Sequence, residues 1–295
     1  VELTSSNFTS SRGVQTTVKD YINRSISDIL NAEINWPFTR AEGSVDAIAG
    51  KQLYSFASIA STLKYIDYDN VFLMPKDYIT NGDFEISGSA SITNWATISG
   101  SPAASSKFGN TLLLTSAKSS QEVEDLIVGK SYVILIQTSG ATLTLDVGTS
   151  SGGTQTKTTT LTIASGNEVL LSEVTFTATA TTHYVTFTES AGATAYVKLV
   201  QLAENITPIG LKYISYEEYS ERYRERDSRP DTDKFSDPEF IYTTYNDEIG
   251  LSPIPDTSNR TIKFDYYTSN VDLSAHGDTS IIPTRFESVI NARAK

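Results

Sequence analysis

Apolar residues return every third or fourth position from Val18 through Tyr21, Ile22, Ile26, Ile29 and Leu30, while Lys19, Asn23, Arg24, Ser27, Asp28 and Asn31 fill the opposite face. This period predicts one amphipathic helix that begins near Thr16 or Thr17, with Thr17 and Asp20 as a capping pair, and ends before Pro37. An apolar stripe of this kind must be buried against the chain's own body or against a neighbour. Pro37 cannot extend a helix and drives Trp36 into extended backbone. Trp36 and Phe38, on either side of it, are therefore expected to pack as a structural hinge between the helix and a β-rich body.

From Arg40 the period falls to two. Val45 and Ala47 alternate with polar residues, Ala49-Gly50 predicts a turn, and Leu53, Tyr54 and Phe56 predict a return strand, which together make a polar hairpin. Tyr65, Asp67 and Asp69 alternate with Lys64, Ile66 and Tyr68, and 71–74 reads as a short buried strand. Asp67 and Asp69 share one strand face, the pattern of a solvated surface rather than of a paired-carboxylate site.

Beyond Pro75 the composition changes. Residues 78–205 are dense in Ser, Thr, Gly and Ala, carry few rings, and break into strands near 112–115, 132–138, 143–147, 158–163, 169–178, 184–188 and 196–202. Many short strands with polar turns and no helical period predict a β-sandwich. Prolines mark both ends, and deleting the segment lets 71–76 run on into Thr207-Pro208-Ile209-Gly210, the pattern of a domain inserted into a loop. The fold class expected is α+β: a helix plus antiparallel β host domain, residues 1–77 and 206–295, interrupted by an all-β sandwich at 78–205.

After the insert, Ser215 and Glu218 form a capping box, with Ile214 and Tyr219 as the accompanying hydrophobic staple, and predict a helix to about Arg226. Tyr216, Tyr219 and Tyr223 line one face of it. Glu218 pairs with Arg222 at i,i+4, and with Arg224 and Arg226 they make either a solvated face or, in an assembly, a subunit contact. An antiparallel meander is expected from strands at 240–245, 249–251 and 261–267, with turns at Asn246-Asp247 and 253–256. Pro283 opens a last helical segment, 285–295, that ends without room for a cap, as a shortened chain would.

Charge and chemistry narrow the function more than they name it. A net charge of −12 argues against gripping nucleic acid through its phosphates, yet suits a conduit, because an acidic wall holds no phosphate. Without cysteine there is no disulfide, thiolate zinc site or cysteine nucleophile. The two histidines, His183 and His276, fall in different expected domains, which leaves a histidine triad or zinc site without its parts. Asp231, Asp233 and Asp237 start like a calcium loop, but Ser236 stands at the required glycine and Tyr242 at the bidentate acid. No phosphate loop or nucleophile elbow occurs, and the apolar runs are far short of the roughly 20 residues that cross a bilayer. No catalytic residue, metal or cofactor is expected.

Taken in order, Asn35-Trp36-Pro37-Phe38, Leu53-Tyr54-Ser55-Phe56, Leu211-Lys212-Tyr213-Ile214 with Tyr216-Glu217-Glu218-Tyr219, and Gly250-Leu251-Ser252-Pro253-Ile254-Pro255-Asp256 followed by a strand and Ile282-Pro283 resemble the tail adaptor proteins of short-tailed phages. The resemblance implies a structural virion protein of the phage tail with no enzymatic activity. It would form a homo-oligomeric ring of about twelve copies, docked on the portal protein and the tail nozzle protein, with DNA passing through the lumen without specific binding. The insert resembles carbohydrate-binding jelly rolls in Asn81-Gly82-Asp83-Phe84-Glu85, Ile92-Thr93-Asn94-Trp95, Val128-Gly129-Lys130-Ser131-Tyr132 and the strand at 196–202. The resemblance puts Lys198 where such modules often place a calcium-binding acid; Trp95 is expected in the core, and the adjacent proline-marked junctions predict that the insert projects as a separately folding unit. Its expected contacts are tail fibres. The alternative is a secreted or virion carbohydrate-binding or adhesin protein that acts through the jelly roll.

Overall fold

The computed structural model describes residues 14–32, 36–85, 92–107, 109–162, 169–222, 240–255, 257–274 and 278–286. It divides into two compact units, one of residues 1–74 with 208–295 and one of residues 75–207. The described residues are mostly antiparallel β, with two α-helices, α1 (Val14–Ala32) and α2 (Tyr216–Arg222).

In unit 1, α1 already includes Thr17, so Thr17 and Asp20 do not cap its start. Ile26 and Leu30 are buried with Ile282, and Ile22, Ile29, Trp36, Phe38, Leu273 and Ile281 pack around them. Tyr21, expected on that stripe, is instead 54% exposed. Asn23, expected on the solvated face, clasps the backbone of Leu273: its amide donates to the Leu273 carbonyl at 3.2 Å and accepts from the Leu273 N–H at 3.0 Å. The helix is thus held by the C-terminal part of its own unit.

Two four-stranded sheets face each other across one core. The first has the order β1 (Arg40–Asp46), β18 (Arg260–Thr268), β3 (Leu63–Pro75), β14 (Ile209–Gly210). The second runs β15 (Lys212–Tyr213), β16 (Ile241–Tyr245), β17 (Glu248–Ser252), β2 (Leu53–Ser55). Tyr54, Ile66, Val71, Tyr242, Ile249, Ile262 and Phe264 belong to a single buried cluster that joins them.

The expected hairpin at Ala49-Gly50 does not form, because β1 pairs with β18 and β2 pairs with β17. Gly43 faces Phe264 in that ladder, and an added Cβ would lie 2.7 Å from the Phe264 ring, so the absent side chain makes room for the aromatic one. Arg40 ties β1 to β18 through an ion pair with Asp265 and to β3 through one with Asp67 at 3.3 Å. The expected meander also breaks: β16 and β17 form a hairpin, but β18 crosses to the other sheet. The short strand at 71–74 is the end of the 13-residue β3. Of the last helical segment, a 3-10 turn at Thr284–Phe286 is described; 287–295 lie outside the described residues, as do Tyr223, the acidic run at 231–237 and His276.

Unit 2 is a sandwich of two five-stranded antiparallel sheets. One has the order β10 (Lys157–Leu161), β9 (Leu143–Gly148), β12 (His183–Glu189), β7 (Ala117–Val123), β4 (Ala96–Ser99). The other runs β11 (Leu170–Thr177), β8 (Ser131–Gly140), β13 (Ala195–Glu204), β6 (Thr111–Leu114), β5 (Ala103–Ser105). Alternate residues of every long strand enter one core, Ile134, Ile136, Leu145, Val147, Val185, Phe187, Val200 and Leu202 among them.

His183 closes one end of this core. It is fully buried, 5.6 Å from the Phe176 ring, and its Nε2 accepts from the Thr179 N–H at 3.4 Å. Burial lowers its pKa from the ordinary 6.5, with the backbone at Ala180 opposing. The fold therefore holds the neutral imidazole, whereas the unfolded chain takes up a proton near 6.5. Its contribution to stability is complete above that value and declines as pH falls through the window below it, toward the depressed folded value. Thermal melts across this range should show the sandwich weakening in acid, and His183→Gln should flatten the dependence; an unchanged slope would remove His183 as its source.

Candidate functional site

Trp36 and Phe38 do come together. Their rings stack with centroids 5.4 Å apart, the indole N–H donates to the Ile29 carbonyl at 3.1 Å, and Trp36 has the extended backbone expected before proline. Pro37 is exposed at the start of a 3-10 turn. In the second helix, the Ser215 hydroxyl accepts from the Glu218 N–H at 3.3 Å, and Ile214 and Tyr219 are buried with Ile241. Arg222 ends α2, while Arg224 and Arg226 lie outside the described residues.

On unit 1, the first sheet carries a recess of about 640 Å³ lined by Glu42, Ser44, Phe72, Met74, Lys263 and Asp265, with Phe72 41% exposed. Its lining sets apolar side chains beside charges of both signs.

Unit 2 carries a different kind of site, on the outer face of the sheet containing β12 and β7. Strand alternation sends Val185 and Phe187 inward, so Tyr184 and Thr186 face out. Register sets Glu122 beside Tyr184, and Ser120 beside Thr186. The Tyr184 hydroxyl donates to Glu122 Oε1 at 2.7 Å, which holds the phenol above its ordinary value of 10. One row further along, Ser120 and Thr186 hydroxyls meet at 2.9 Å, and the Thr158 hydroxyl donates to Asp146 Oδ1 at 2.8 Å.

The loop at 149–155 closes over one side of this face. Gln155 bonds back to the Thr149 N–H and the Ser150 hydroxyl, and the Lys118 ammonium donates to the Gly152 carbonyl at 2.9 Å. Gly148, cross-strand from Tyr184, permits the closure, because a Cβ there would sit 2.4 Å from Gln155 Oε1. The opposite rim is the turn before β4. Trp95 anchors it from below, buried against Phe84 and Phe187 as expected for a core residue, with its N–H donating to the Asn81 carbonyl at 3.2 Å. What remains is an open cleft of about 400 Å³ lined by Asn94, Trp95, Ala96, Ser120, Glu122, Ser151 and Tyr184. It offers an aromatic ring with a polar tip, a carboxylate, an amide and hydroxyls, and it can hold a polyhydroxylated ligand by hydrogen bonds.

Sequence reasoning missed Tyr184 and Glu122. Alternation alone points Tyr184 outward, but its partner is 62 positions away and emerges only with the register. Lys198 falls at the irregularity of β13 between Val197 and Leu199. Among the described residues, no group of three or more His, Cys, Asp or Glu side chains could hold a metal ion.

No family model matches the chain, and no curated protein matches it. Among solved structures, similarity extends to a family 61 carbohydrate-binding module, TmCBM61, in complex with β-1,4-galactotriose, at 17% identity and a TM-score of 0.34, over 44% of this chain and 99% of that one. A putative sugar-binding protein from Bacteroides thetaiotaomicron matches at 11% identity and a TM-score of 0.35, over 44% of this chain and 100% of that one. The enzymatically active domain of tailspike protein 4 from bacteriophage CBA120 matches at 14% identity and a TM-score of 0.35, over 43% of this chain and 21% of that chain.

Proposed function

We propose that this is a non-catalytic binding protein whose sandwich holds a saccharide in the cleft framed by Tyr184, Glu122 and Asn94. The observation that carries the reading is the Tyr184–Glu122 pair on an open sheet face. The hydrogen bond fixes the phenol, so the ring can lie against the apolar face of a sugar while the free carboxylate oxygen and the Asn94 amide meet its hydroxyls. Calorimetric titration with gluco-, xylo- and galacto-oligosaccharides should find a ligand, and Tyr184→Ala should weaken it by about tenfold or more, the loss of one aromatic contact. Silence across the panel at millimolar sugar would refute the reading.

A second reading concerns unit 1: a tail adaptor scaffold of a phage virion that assembles into a ring between portal and nozzle and carries the sandwich as an attachment module. What favours it is the exposed Phe72 beside Met74 in the recess, side chains of the kinds enriched at the core of protein interfaces. Mass photometry of the full chain tests it: a closed ring of about twelve copies supports the adaptor, and a stable monomer both free and in virions rejects it.

A further inference from the structure

We infer that the cleft on the sandwich selects by charge: it accepts neutral saccharides and rejects those that carry carboxylates, the uronic and sialic acids, with Glu122 making the distinction. This rests on the saccharide reading above.

Glu122 is exposed, and one of its oxygens is occupied by the Tyr184 hydroxyl. The other accepts no hydrogen bond from a described residue and is open to a sugar hydroxyl. None of the other lining residues, Asn94, Trp95, Ala96, Ser120, Ser151 and Tyr184, is basic. Lys118 lies two rows from Glu122 on the same face; its ammonium keeps its charge but is tethered to the Gly152 carbonyl at 2.9 Å and does not line the cleft. Glu124 lies close enough to act electrostatically on Tyr184 as well. A sugar carboxylate entering here would meet no basic side chain in the lining and lie within a few ångströms of one negative charge. A neutral sugar in the same position gains a charge-assisted hydrogen bond to that carboxylate.

The experiment uses the full chain and probes that differ only at the carboxylate, methyl β-galactoside against methyl β-galacturonide, with lactose against 3′-sialyllactose as a second pair, titrated at low and physiological salt. The neutral member of each pair should bind at least about tenfold tighter, from repulsion between like charges a few ångströms apart, and the gap should narrow as salt rises. Glu122→Gln keeps the size and an acceptor oxygen but removes the charge, and should bring the ratio towards one; Glu122→Lys should reverse it. Equal or tighter binding of the acidic member by the unaltered protein overturns the inference and leaves the saccharide reading standing. A gap that survives in Glu122→Gln, or loss of both classes in that variant, overturns the assignment to the Glu122 charge. Binding of neither class by the unaltered protein removes the saccharide reading and the inference together.

Discussion

Trp95→Ala is expected to destabilise the sandwich by about 3–5 kcal/mol, the range for truncating a large buried aromatic residue. Trp95 is 7% exposed and lies 5.3 Å from the Phe84 ring and 5.7 Å from that of Phe187, so its removal opens a cavity that two flanking rings cannot fill. It also removes one of the two donors to the Asn81 carbonyl, leaving only the Phe84 N–H at 3.3 Å. For a unit of this size the loss corresponds to roughly 10–20 °C in melting temperature. Differential scanning calorimetry should show the shift in the transition of the sandwich, and saccharide affinity should fall with it, because Asn94 and Ala96 ride on the same anchor. A melt that does not move would place Trp95 outside the core.

Trp36→Ala is expected to cost less, about 2–3 kcal/mol, because the ring is half-buried and part of its area already faces water. Three losses add: the stack on Phe38, the bond to the Ile29 carbonyl, and packing against Ile26, Leu30 and Ile282. Trp36→Phe retains the stack and most of the packing and should cost about 1 kcal/mol, the worth of the hydrogen bond. Urea unfolding of both variants separates the contributions. If Trp36→Ala melts like the parent, the ring is not a hinge and is free to serve a partner.

How much of this was legible beforehand differs by element. The capping box at Ser215 and Glu218 and the Trp-Pro-Phe corner were readable because their partners lie within a few residues. Strand positions in the sandwich were readable in part: seven were expected near where they lie, whereas β4, β5 and β7, short or rich in Ser and Ala, were not. Strand partners were not: Ala49-Gly50 specifies a reversal of direction, not which strand comes alongside, and what decides is the fit of Gly43 to Phe264 and of Arg40 to Asp67 and Asp265. The outer row of Ser120, Thr186 and Asp146 resembles a solvated surface in sequence, yet all three residues are buried and bonded to one another or to Thr158. Which strands lie alongside sets what these residues meet, and no local pattern encodes that. Tyr184 was hidden for the same reason, as half of a pair made by register.

The placement of β18 between β1 and β3 bears on how the chain is made. The sandwich is contiguous from Pro75 to Thr207 and can complete itself as soon as it leaves the ribosome. The first sheet of unit 1 cannot, because β1 ends at Asp46 and its partner begins at Arg260. At ordinary elongation rates β1 and β3 wait roughly 10–40 s for the strand that joins them. During that interval β1 has no sheet to join, since β18 is its neighbour in the sheet order, and its backbone groups are open to pairing with another nascent chain. Its alternation of Arg40, Glu42, Ser44 and Asp46 puts charge on one face of that edge. Residues that later form ion pairs and line the recess are thus of the charged kind that disfavours aggregation of an unpaired strand until its partner arrives.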